Sequence, residues 1–327
     1  MKVLIYASSQ VKAWEIPDSH VVALRTAFRD TEFLHACSAA QAQELIRDAD
    51  VAFAPIMGRE MVQSAPRLTW IHSSAAAVEG LLPLTTVAER GITLTNSRGV
   101  QAVAIAEHVM GGLLVLSHKF NRTLEAQRER RWIQNDLAYD WPWLLDGRTM
   151  AIVGLGTIGL EVAKRASAFG MRITGVRRRT HDPVPPFVER VVGPSDIDAA
   201  LRGCDVLVIA APGLATTTKM IRAEHIALLN PGAVIVNVAR AQIVDEPAMI
   251  HALESGRLGG AVLDVFDQEP LDPTSRLWGF PNVVITPHSS GFRASHWDDV
   301  TALFAENLRR FMSGQPLLNV VDATAGY

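Results

Sequence analysis

Short runs of β-branched and other apolar residues alternate with helix-forming segments along nearly the whole chain. Strands that alternate with helices form mostly parallel sheets covered on both faces. The sequence therefore predicts an α/β fold. A first series has predicted strands at 3–6, 31–35, 51–53, 69–73 and 93–95, and helices at 39–47, 61–65 and 84–89. A second series has strands at 149–153, 172–176, 206–209, 233–238, 260–263 and 283–285, and helices at 158–169, 195–201, 223–228 and 246–255.

Two long helical patterns separate and follow these series. Apolar residues at helical spacing predict a helix over 103–117, with the charged stretch 122–131 as its solvated continuation and Pro142 as the break. A last helix over 294–312 has no strand after it, so we expect it to pack back on the first domain. The chain has 327 residues, which favours two domains. We predict a domain of 100–288 and a second that combines 1–99 with 289–327.

Composition excludes several classes of protein. The 31 basic and 34 acidic residues give a formal charge of −3, which shows no bias toward nucleic acid or membrane surfaces. The longest apolar stretch, 100–116, contains charged and imidazole side chains and is too short for a membrane span. Only Cys37 and Cys204 are present, too few for a disulfide framework, and Cys204 precedes the apolar run 206–209, so we expect it to be a structural thiol in a reducing compartment. The chain opens on a short strand, so we expect no signal peptide and a cytoplasmic location.

A glycine motif follows the strand at 149–153. Its spacing is G-x-G-x-x-G, and its residues are Gly154, Leu155, Gly156, Thr157, Ile158 and Gly159. The first glycine permits the tight turn, the second admits a pyrophosphate close to the backbone, and the third lets helix approach strand. The phosphate would then meet unpaired N–H groups at the helix N-terminus. Because strand, turn and helix follow in order, the motif predicts dinucleotide binding rather than an ordinary turn.

The next strand ends in three arginines, Arg177, Arg178 and Arg179. An NAD-specific site would place Asp or Glu here to bind the ribose hydroxyls. Guanidinium groups instead suit a 2′-phosphate, since they are permanently charged and donate hydrogen bonds as a fork. The position favours NADPH, and the alternative is a solvated basic turn that leaves NADH as the cofactor.

Three later segments resemble those of the D-isomer-specific 2-hydroxyacid dehydrogenase family, and the resemblance extends over nearly the whole chain. The segment 230–240, NPGAVIVNVAR, resembles the strand that leads to the family's catalytic arginine. The segments 263–271, LDVFDQEPL, and 281–288, PNVVITPH, resemble those that carry its glutamate and histidine. The resemblance implies two doubly wound, Rossmann-like and flavodoxin-like domains, with the active site in the cleft between them.

The family's catalytic residues correspond to Arg240, Glu269 and His288 in this sequence. Reduction of a 2-oxo acid needs a cation for the carboxylate and C2 carbonyl, which Arg240 suits because it is planar and never deprotonates. It also needs an acid for the developing alkoxide, a role that suits His288. Glu269 close to His288 would stabilise the imidazolium and raise the pKa of that histidine. Each residue alone could be a surface cation, a solvated carboxylate or a strand end. All three end predicted strands, where parallel sheets bind ligands.

The resemblance implies further contacts. The loop at 73–79 resembles the one whose backbone N–H groups hold the substrate carboxylate, so we expect substrate binding at Ala76 and Ala77. Family members commonly have glycine at 77 and 241, where this chain has Ala. Met57 and Trp297 are pocket candidates whose alternative is core packing. We expect Asp264 to contact the nicotinamide end, and further cofactor contacts from Ala211, Pro212, Val238, Ala239 and His288.

Within the family, the arginines and the ending 322–327 resemble NADPH-dependent glyoxylate/hydroxypyruvate and 2-ketoacid reductases. Glu269 argues against formate dehydrogenases, which have Gln there. The expected activity is hydride transfer from NADPH to C2 of a small 2-oxo acid, giving a D-2-hydroxy acid, without a metal. The alternatives are an NAD-preferring dehydrogenase of the same fold and a nucleotide-sensing, corepressor-like binding protein. The resemblance also implies a homodimer joined through the long helix and residues 119–147.

Overall fold

The computed structural model describes residues 1–9 and 11–323. Over these residues the chain forms two compact units: Met1–Val100 together with the segment from Arg293 onward, and Gln101–Phe292. We call them unit 1 and unit 2. Each unit contains one parallel β-sheet with helices on both faces, so the predicted fold class of two doubly wound α/β domains is confirmed.

Unit 1 is built on a sheet of five parallel strands in the order β2-β1-β3-β4-β5, which is the flavodoxin-like order. Its strands are β1 Lys2–Ile5, β2 Glu32–His35, β3 Val51–Phe53, β4 Trp70–Ser73 and β5 Thr93–Asn96; its helices are α1 Asp18–Ala27, α2 Ala39–Leu45, α3 Arg59–Gln63, α4 Leu84–Glu89 and, from the end of the chain, α12 His296–Met312. One face of the sheet packs an aromatic core in which Phe304 of α12 stacks on Phe53, with ring centroids 4.4 Å apart.

Unit 2 is built on seven parallel strands in the order β12-β11-β10-β9-β6-β7-β8. Its strands are β6 Thr149–Val153, β7 Arg172–Val176, β8 Arg190–Val192, β9 Val206–Ile209, β10 Ala233–Asn237, β11 Leu258–Leu263 and β12 Val283–Ile285; its helices are α5 Ala102–Ser117, α6 Phe120–Arg128, α7 Gln134–Tyr139, α8 Thr157–Ala168, α9 Ile197–Leu201, α10 Ala223–Ile226 and α11 Glu246–Glu254. The direction of winding reverses between β6 and β9, which is where doubly wound sheets bind ligands at the carboxyl ends of their strands.

One prediction about the helices is wrong. The charged stretch 122–131 does not continue the long helix, because α5 ends at Ser117 and α6 starts anew at Phe120. Lys119 lies between them in the left-handed region, with φ of 57°, so the helical hydrogen bonding is interrupted there. The sequence patterns also did not predict α1, α7 or β8. Two buried residues, Val21 and Leu24, anchor α1, which is too few to make a clear helical period.

Within the described ranges, no helix has the length and apolar character needed to cross a bilayer. Cys204 is buried in unit 2, where its Sγ donates to the Val206 carbonyl at 2.9 Å. Burial raises the pKa of this thiol to about 12, so it stays protonated and packs as a small apolar residue.

Candidate active site

Glu269 and His288 form a close pair near the carboxyl ends of β11 and β12. The Oε2 atom of Glu269 lies 2.7 Å from Nδ1 of His288. The other carboxylate oxygen, Oε1, accepts a hydrogen bond from the Phe266 N–H at 3.0 Å. Both side chains are partly exposed, at 36% and 53%. A carboxylate that is fixed through one oxygen and faces Nδ1 with the other fixes the imidazole ring, so the Nε2 edge is directed away from the pair.

Arg240 lines the same cavity as this pair. The cavity has a volume of about 180 Å³, and its lining comprises Arg240, Ala241, Gln242, Val265, Phe266, Asp267, Glu269 and His288. Arg240 follows β10, so the three predicted catalytic residues come from the ends of three neighbouring strands. The structure thus brings together a fixed guanidinium, an imidazole and a carboxylate at one edge of the sheet. A cation beside a proton donor can bind an anionic carbonyl compound and protonate it.

The Arg240 side chain lies directly over Gly213. A Cβ atom at position 213 would lie 2.7 Å from Cγ of Arg240, so only glycine leaves room for this side chain position. The loop that carries Gly213 is closed by Thr217, whose hydroxyl accepts from the Leu214 N–H and donates to the Pro212 carbonyl, both at 2.8 Å. The guanidinium is tied in turn to the Ala239 carbonyl at 2.7 Å. Arg240 is therefore held in place before any substrate binds.

The loop that carries His288 is anchored by Asp264, a fully buried residue that follows β11. Its Oδ1 accepts from the Thr286 hydroxyl at 2.6 Å and from the Ser289 N–H at 2.8 Å, and its Oδ2 accepts from the Ser290 N–H at 3.0 Å. His288 itself adopts a left-handed backbone conformation, with φ of 52°. Three donors on one buried carboxylate keep the loop in this uncommon conformation. The expected contact of Asp264 with the nicotinamide end stays a prediction.

A second, larger cavity adjoins the Glu269–His288 pair. Its volume is about 450 Å³, and its apolar lining consists of Phe266, Pro270, Leu271, Trp278, Ile285 and Pro287. The pair therefore lies between a polar cavity that contains Arg240 and an apolar one. Sequence reasoning did not indicate this second cavity, because its walls come from four segments that no spacing rule connects.

The glycine motif forms the turn between β6 and α8. Gly154 has φ of +100°, and a Cβ there would lie 2.4 Å from the backbone nitrogen of Ala211. A Cβ at Gly159 would lie close to the Gly154 carbonyl oxygen, which is the close approach of helix and strand that the third glycine permits. At Gly156, by contrast, an added Cβ would meet nothing within 4 Å. Open space beside the first N–H groups of a helix suits a pyrophosphate, so these residues fit a dinucleotide.

The three arginines after β7 have different surroundings. Arg177 donates from Nη2 to the carbonyls of Asp182 and Pro183, and so closes the turn on itself. Arg178 and Arg179 are exposed. The other predicted cofactor residues lie at strand ends of the same sheet: Ala211, Val238 and Ala239 are buried, and Pro212 is exposed.

The predicted carboxylate loop lies in unit 1, after β4, where Ala76 and Ala77 are half-buried. Met57 and Trp297 are 3% and 8% exposed and belong to the hydrophobic cores of unit 1. The indole of Trp297 donates to the Ala13 carbonyl at 3.0 Å. This packing fits the core alternative for both residues. Of the chain ending that resembles a reductase branch, residues 324–327 lie outside the described part of the structure.

Known proteins resemble this chain over most of its length. The family model for the NAD-binding domain of D-isomer specific 2-hydroxyacid dehydrogenases matches residues 110–290. The chain is 31% identical to a glyoxylate reductase of Pyrococcus furiosus over 279 residues, which is 83% of this chain and 82% of that protein.

Two solved structures are also similar. A D-isomer specific 2-hydroxyacid dehydrogenase family protein from Aeromonas salmonicida has 33% identity and a TM-score of 0.82, covering 98% of this chain and 99% of that one. An NADPH-dependent glyoxylate/hydroxypyruvate reductase from Sinorhizobium meliloti, solved with NADP and sulfate, has 26% identity and a TM-score of 0.81, covering 100% and 99%. The chain is therefore an oxidoreductase, and it belongs to the D-isomer-specific 2-hydroxyacid dehydrogenase family.

Proposed function

We propose that the chain reduces a small 2-oxo acid of the glyoxylate or hydroxypyruvate type to the D-2-hydroxy acid, with NADPH as the cofactor. The observation that carries the proposal is the Glu269–His288 pair, 2.7 Å apart, in one cavity with Arg240. The relatives named as glyoxylate reductases support this choice of substrate. Since hydroxy acid and 2-oxo acid differ by one hydride and one proton, a site for this reaction needs a proton donor and an anion-binding cation beside the cofactor.

We infer the roles of the residues from their geometry. When bound, the nicotinamide supplies the hydride to C2. Arg240, held over Gly213, binds the substrate and polarises its C2 carbonyl. His288 gives a proton from Nε2 to the oxygen that gains charge, and Glu269 at Nδ1 stabilises the protonated ring from behind. The backbone N–H groups of Ala76 and Ala77 bind the substrate carboxylate.

The first test offers NADPH and NADH separately with glyoxylate, hydroxypyruvate, pyruvate and phenylpyruvate. We expect oxidation of NADPH with glyoxylate, hydroxypyruvate or both, at a higher kcat/KM than with NADH. If neither cofactor is oxidised with any of the acids, the reductase proposal is wrong.

His288→Ala should remove most turnover and leave cofactor binding nearly unchanged.

The NADPH preference is tested at Arg178 and Arg179, whose side chains are exposed after the end of β7. Replacing both by Ser should lower kcat/KM with NADPH by about 10- to 100-fold while leaving that with NADH within about threefold, the scale of one or two lost charge-assisted bonds to phosphate. Arg172→Ser is the matched control, since Arg172 is an exposed arginine at the opposite end of β7. An equal effect on both cofactors would contradict the assignment.

Two broader features belong to the same proposal. We propose a homodimer, supported by the exposed aromatic side chains of Trp132, Tyr139 and Trp141 in the segment that the family resemblance indicates. We also propose a cytoplasmic location, which is supported by the buried, protonated thiol of Cys204.

A further inference from the structure

The loop that we propose to bind the substrate carboxylate is held by the two residues that end β5 and follow it. Asn96 donates from Nδ2 to the Ala76 carbonyl at 2.6 Å. Ser97 donates from its backbone N–H to the Ala75 carbonyl at 3.1 Å, and from Oγ to the Ser73 carbonyl at 2.9 Å. Asn96 and Ser97 are only 3% and 2% exposed, so water competes little for these bonds.

These three carbonyls belong to the peptide units that present the loop's N–H groups. A peptide unit is planar, so the carbonyl of one residue and the N–H of the next point in opposite directions and move together. The carbonyls of Ala75 and Ala76 therefore fix the N–H groups of Ala76 and Ala77. A donor on the carbonyl also polarises the N–H at the other end of the same unit, which strengthens its bond to an anion.

The segment that supplies the donors is itself fixed. Asn319 donates from Nδ2 to the carbonyls of Asn96 and Arg98, at 3.1 and 2.7 Å, and its own carbonyl accepts from the Asn96 N–H at 3.2 Å. Asn96 Oδ1 accepts from the Arg98 N–H at 3.2 Å, which fixes the amide so that Nδ2 faces the loop. The donors are thus aimed at the loop before a ligand arrives.

A buried chain of hydrogen bonds orients the Ser97 hydroxyl. The indole of Trp70 donates to Oγ1 of Thr95 at 2.9 Å, and the same oxygen lies 2.7 Å from Nδ1 of His72. Burial lowers the pKa of His72 to about 3, so the ring is neutral and has one proton. Ser97 gives its only hydroxyl proton to the Ser73 carbonyl, so its Oγ is left to accept from Nε2 of His72 at 3.4 Å, and Nδ1 is left to accept from Thr95.

We propose that Asn96 and Ser97 are positioning residues for the reaction: they aim and polarise the N–H groups of Ala76 and Ala77 toward the substrate carboxylate, and the Trp70–Thr95–His72 chain orients Ser97. This inference rests on the proposed function, because it requires that the loop binds the carboxylate of a 2-oxo acid.

The test uses Asn96→Ala and Ser97→Ala in the full chain, with the best 2-oxo acid of the panel as substrate. Asn96→Ala should raise the KM for that acid by about 10-fold or more, the scale of a weakened bond to a charged group, and change kcat and the KM for NADPH much less. Ser97→Ala, which keeps the backbone bond to Ala75, should raise the KM by about threefold. For the neutral methyl ester of the same acid, either variant should raise the KM less than it does for the acid.

Gln43→Ala is the matched control. Gln43 is a half-buried residue of unit 1 whose amide donates to Oγ of Ser64 at 2.9 Å, away from the loop and from Asn319, so its loss should lower the melting temperature and leave the KM unchanged. Equal changes for the acid and its ester, or an unchanged KM in Asn96→Ala, overturn the positioning role. If Asn96→Ala does not fold, Ser97→Ala decides by the same criterion. A wild-type chain that reduces no 2-oxo acid refutes the proposed function instead, so the two failures are distinguishable.

Discussion

The carboxylate of Glu269 has two different partners, one for each oxygen. Oε1 accepts from the Phe266 N–H, and Oε2 faces Nδ1 of His288. The first contact fixes the side chain without neutralising it, and the second leaves the negative charge beside the ring that we expect to become cationic. One oxygen of Glu269 therefore positions the side chain, and the other places a negative charge beside His288. A substitution that keeps the shape of the Glu269 side chain can remove its charge alone.

Glu269→Gln is that substitution. The amide oxygen can still accept from Phe266, but an amide nitrogen next to Nδ1 cannot stabilise an imidazolium. We expect kcat for reduction to fall by about 100-fold or more, within the range attributed to positioned acid–base groups, and the affinity for NADPH to stay unchanged. Steady-state kinetics and cofactor titration measure the two effects.

The control for this change is Asp272→Asn, which replaces another carboxylate by an amide. The Asp272 carboxylate accepts from the N–H and the hydroxyl of Thr274, at 2.7 and 2.6 Å, and the residue is exposed. It should leave turnover within about twofold of the wild type, as expected for a surface substitution. A Glu269→Gln variant that is as active as Asp272→Asn would show that the pair does not serve the reaction.

The buried imidazole of His72 predicts how stability depends on pH. Its pKa is lowered to about 3 from an ordinary value of 6.5, because burial penalises the charged ring. As the pH falls below 6.5, the unfolded chain binds a proton here and the folded chain does not, so the folded state loses stability down to the folded pKa near 3. One proton gives a slope of at most about 1.4 kcal/mol per pH unit.

The measurement compares the wild type with His72→Gln by calorimetric unfolding at about pH 7 and about pH 5. The variant is expected to be less stable at neutral pH and to lose less stability on acidification, because the glutamine side chain does not bind a proton in this pH range. His251→Gln, at an exposed histidine in α11, serves as the control and should follow the wild type. Parallel curves for wild type and His72→Gln would contradict the prediction.

At the scale of elements, the β6–α8 turn uses its three glycines for different reasons. Gly154 and Gly159 have backbone atoms where a side chain would start, whereas Gly156 faces open space. Gly154→Ala and Gly159→Ala should therefore lower the melting temperature by several degrees, since backbone must move. Gly156→Ala should leave the melting temperature nearly unchanged and weaken NADPH binding by about 10-fold or more, because its methyl group occupies the space suited to phosphate.

Thermal unfolding without cofactor and fluorescence titration with NADPH separate these outcomes. Gly58→Ala is the control, because Gly58 also has nothing within 4 Å of an added Cβ and lies in unit 1, before α3. If Gly156→Ala binds NADPH as tightly as Gly58→Ala does, the turn does not hold the pyrophosphate.

The elements that could be predicted from sequence were those whose apolar period is strong. Every residue of β9 and β10 is buried, and all of them are apolar except Asn237 at the end of β10, so both strands have a recognisable apolar run. The helix α1 buries two residues, and α7 buries none, so neither has a recognisable period. The break between α5 and α6 depends on the backbone of Lys119, and lysine has no preference for that conformation that a sequence could reveal.

The same distinction applies to the candidate site. Arg240, Glu269 and His288 stand in local segments that a family resemblance identifies. Asn96 and Gly213 act through contacts with the chain 20 and 27 residues away, and no local pattern specifies such pairs. The one cue was position: Asn96 directly follows the predicted strand 93–95 and Gly213 lies four residues after β9, so both lie near the edge where parallel sheets bind ligands.

For the whole molecule, the exposed aromatic surface of unit 2 bears on assembly. Trp132, Tyr139 and Trp141 are 89%, 93% and 74% exposed, which is unusual for side chains of this size. In sedimentation we expect the purified chain to have twice the 35.6 kDa mass of one chain. The double variant Trp132→Ser, Trp141→Ser should have the mass of the monomer. Met312→Ser removes a half-exposed apolar side chain of unit 1 and should leave the mass unchanged. A wild-type monomer would contradict the homodimer.

Unit 1 is discontinuous along the chain, and this has a consequence for synthesis. The aromatic face formed by Phe53 and Trp70 is covered by Phe304 of α12, which is translated only after the whole of unit 2. Domains commonly fold in the order in which they leave the ribosome. Here the order should be reversed. Residues 101–292 should reach their native state first, while one face of the unit 1 sheet stays uncovered until α12 is translated.

Stalled nascent chains make this order visible. When the ribosome stops just after residue 292 has emerged, a short protease pulse should spare unit 2 and degrade residues 1–100. Protection of residues 1–100 should appear only once α12 has left the exit tunnel. Until then we expect chaperones to bind the uncovered aromatic face, so the yield of active enzyme should depend on how quickly the last segment of the chain is translated.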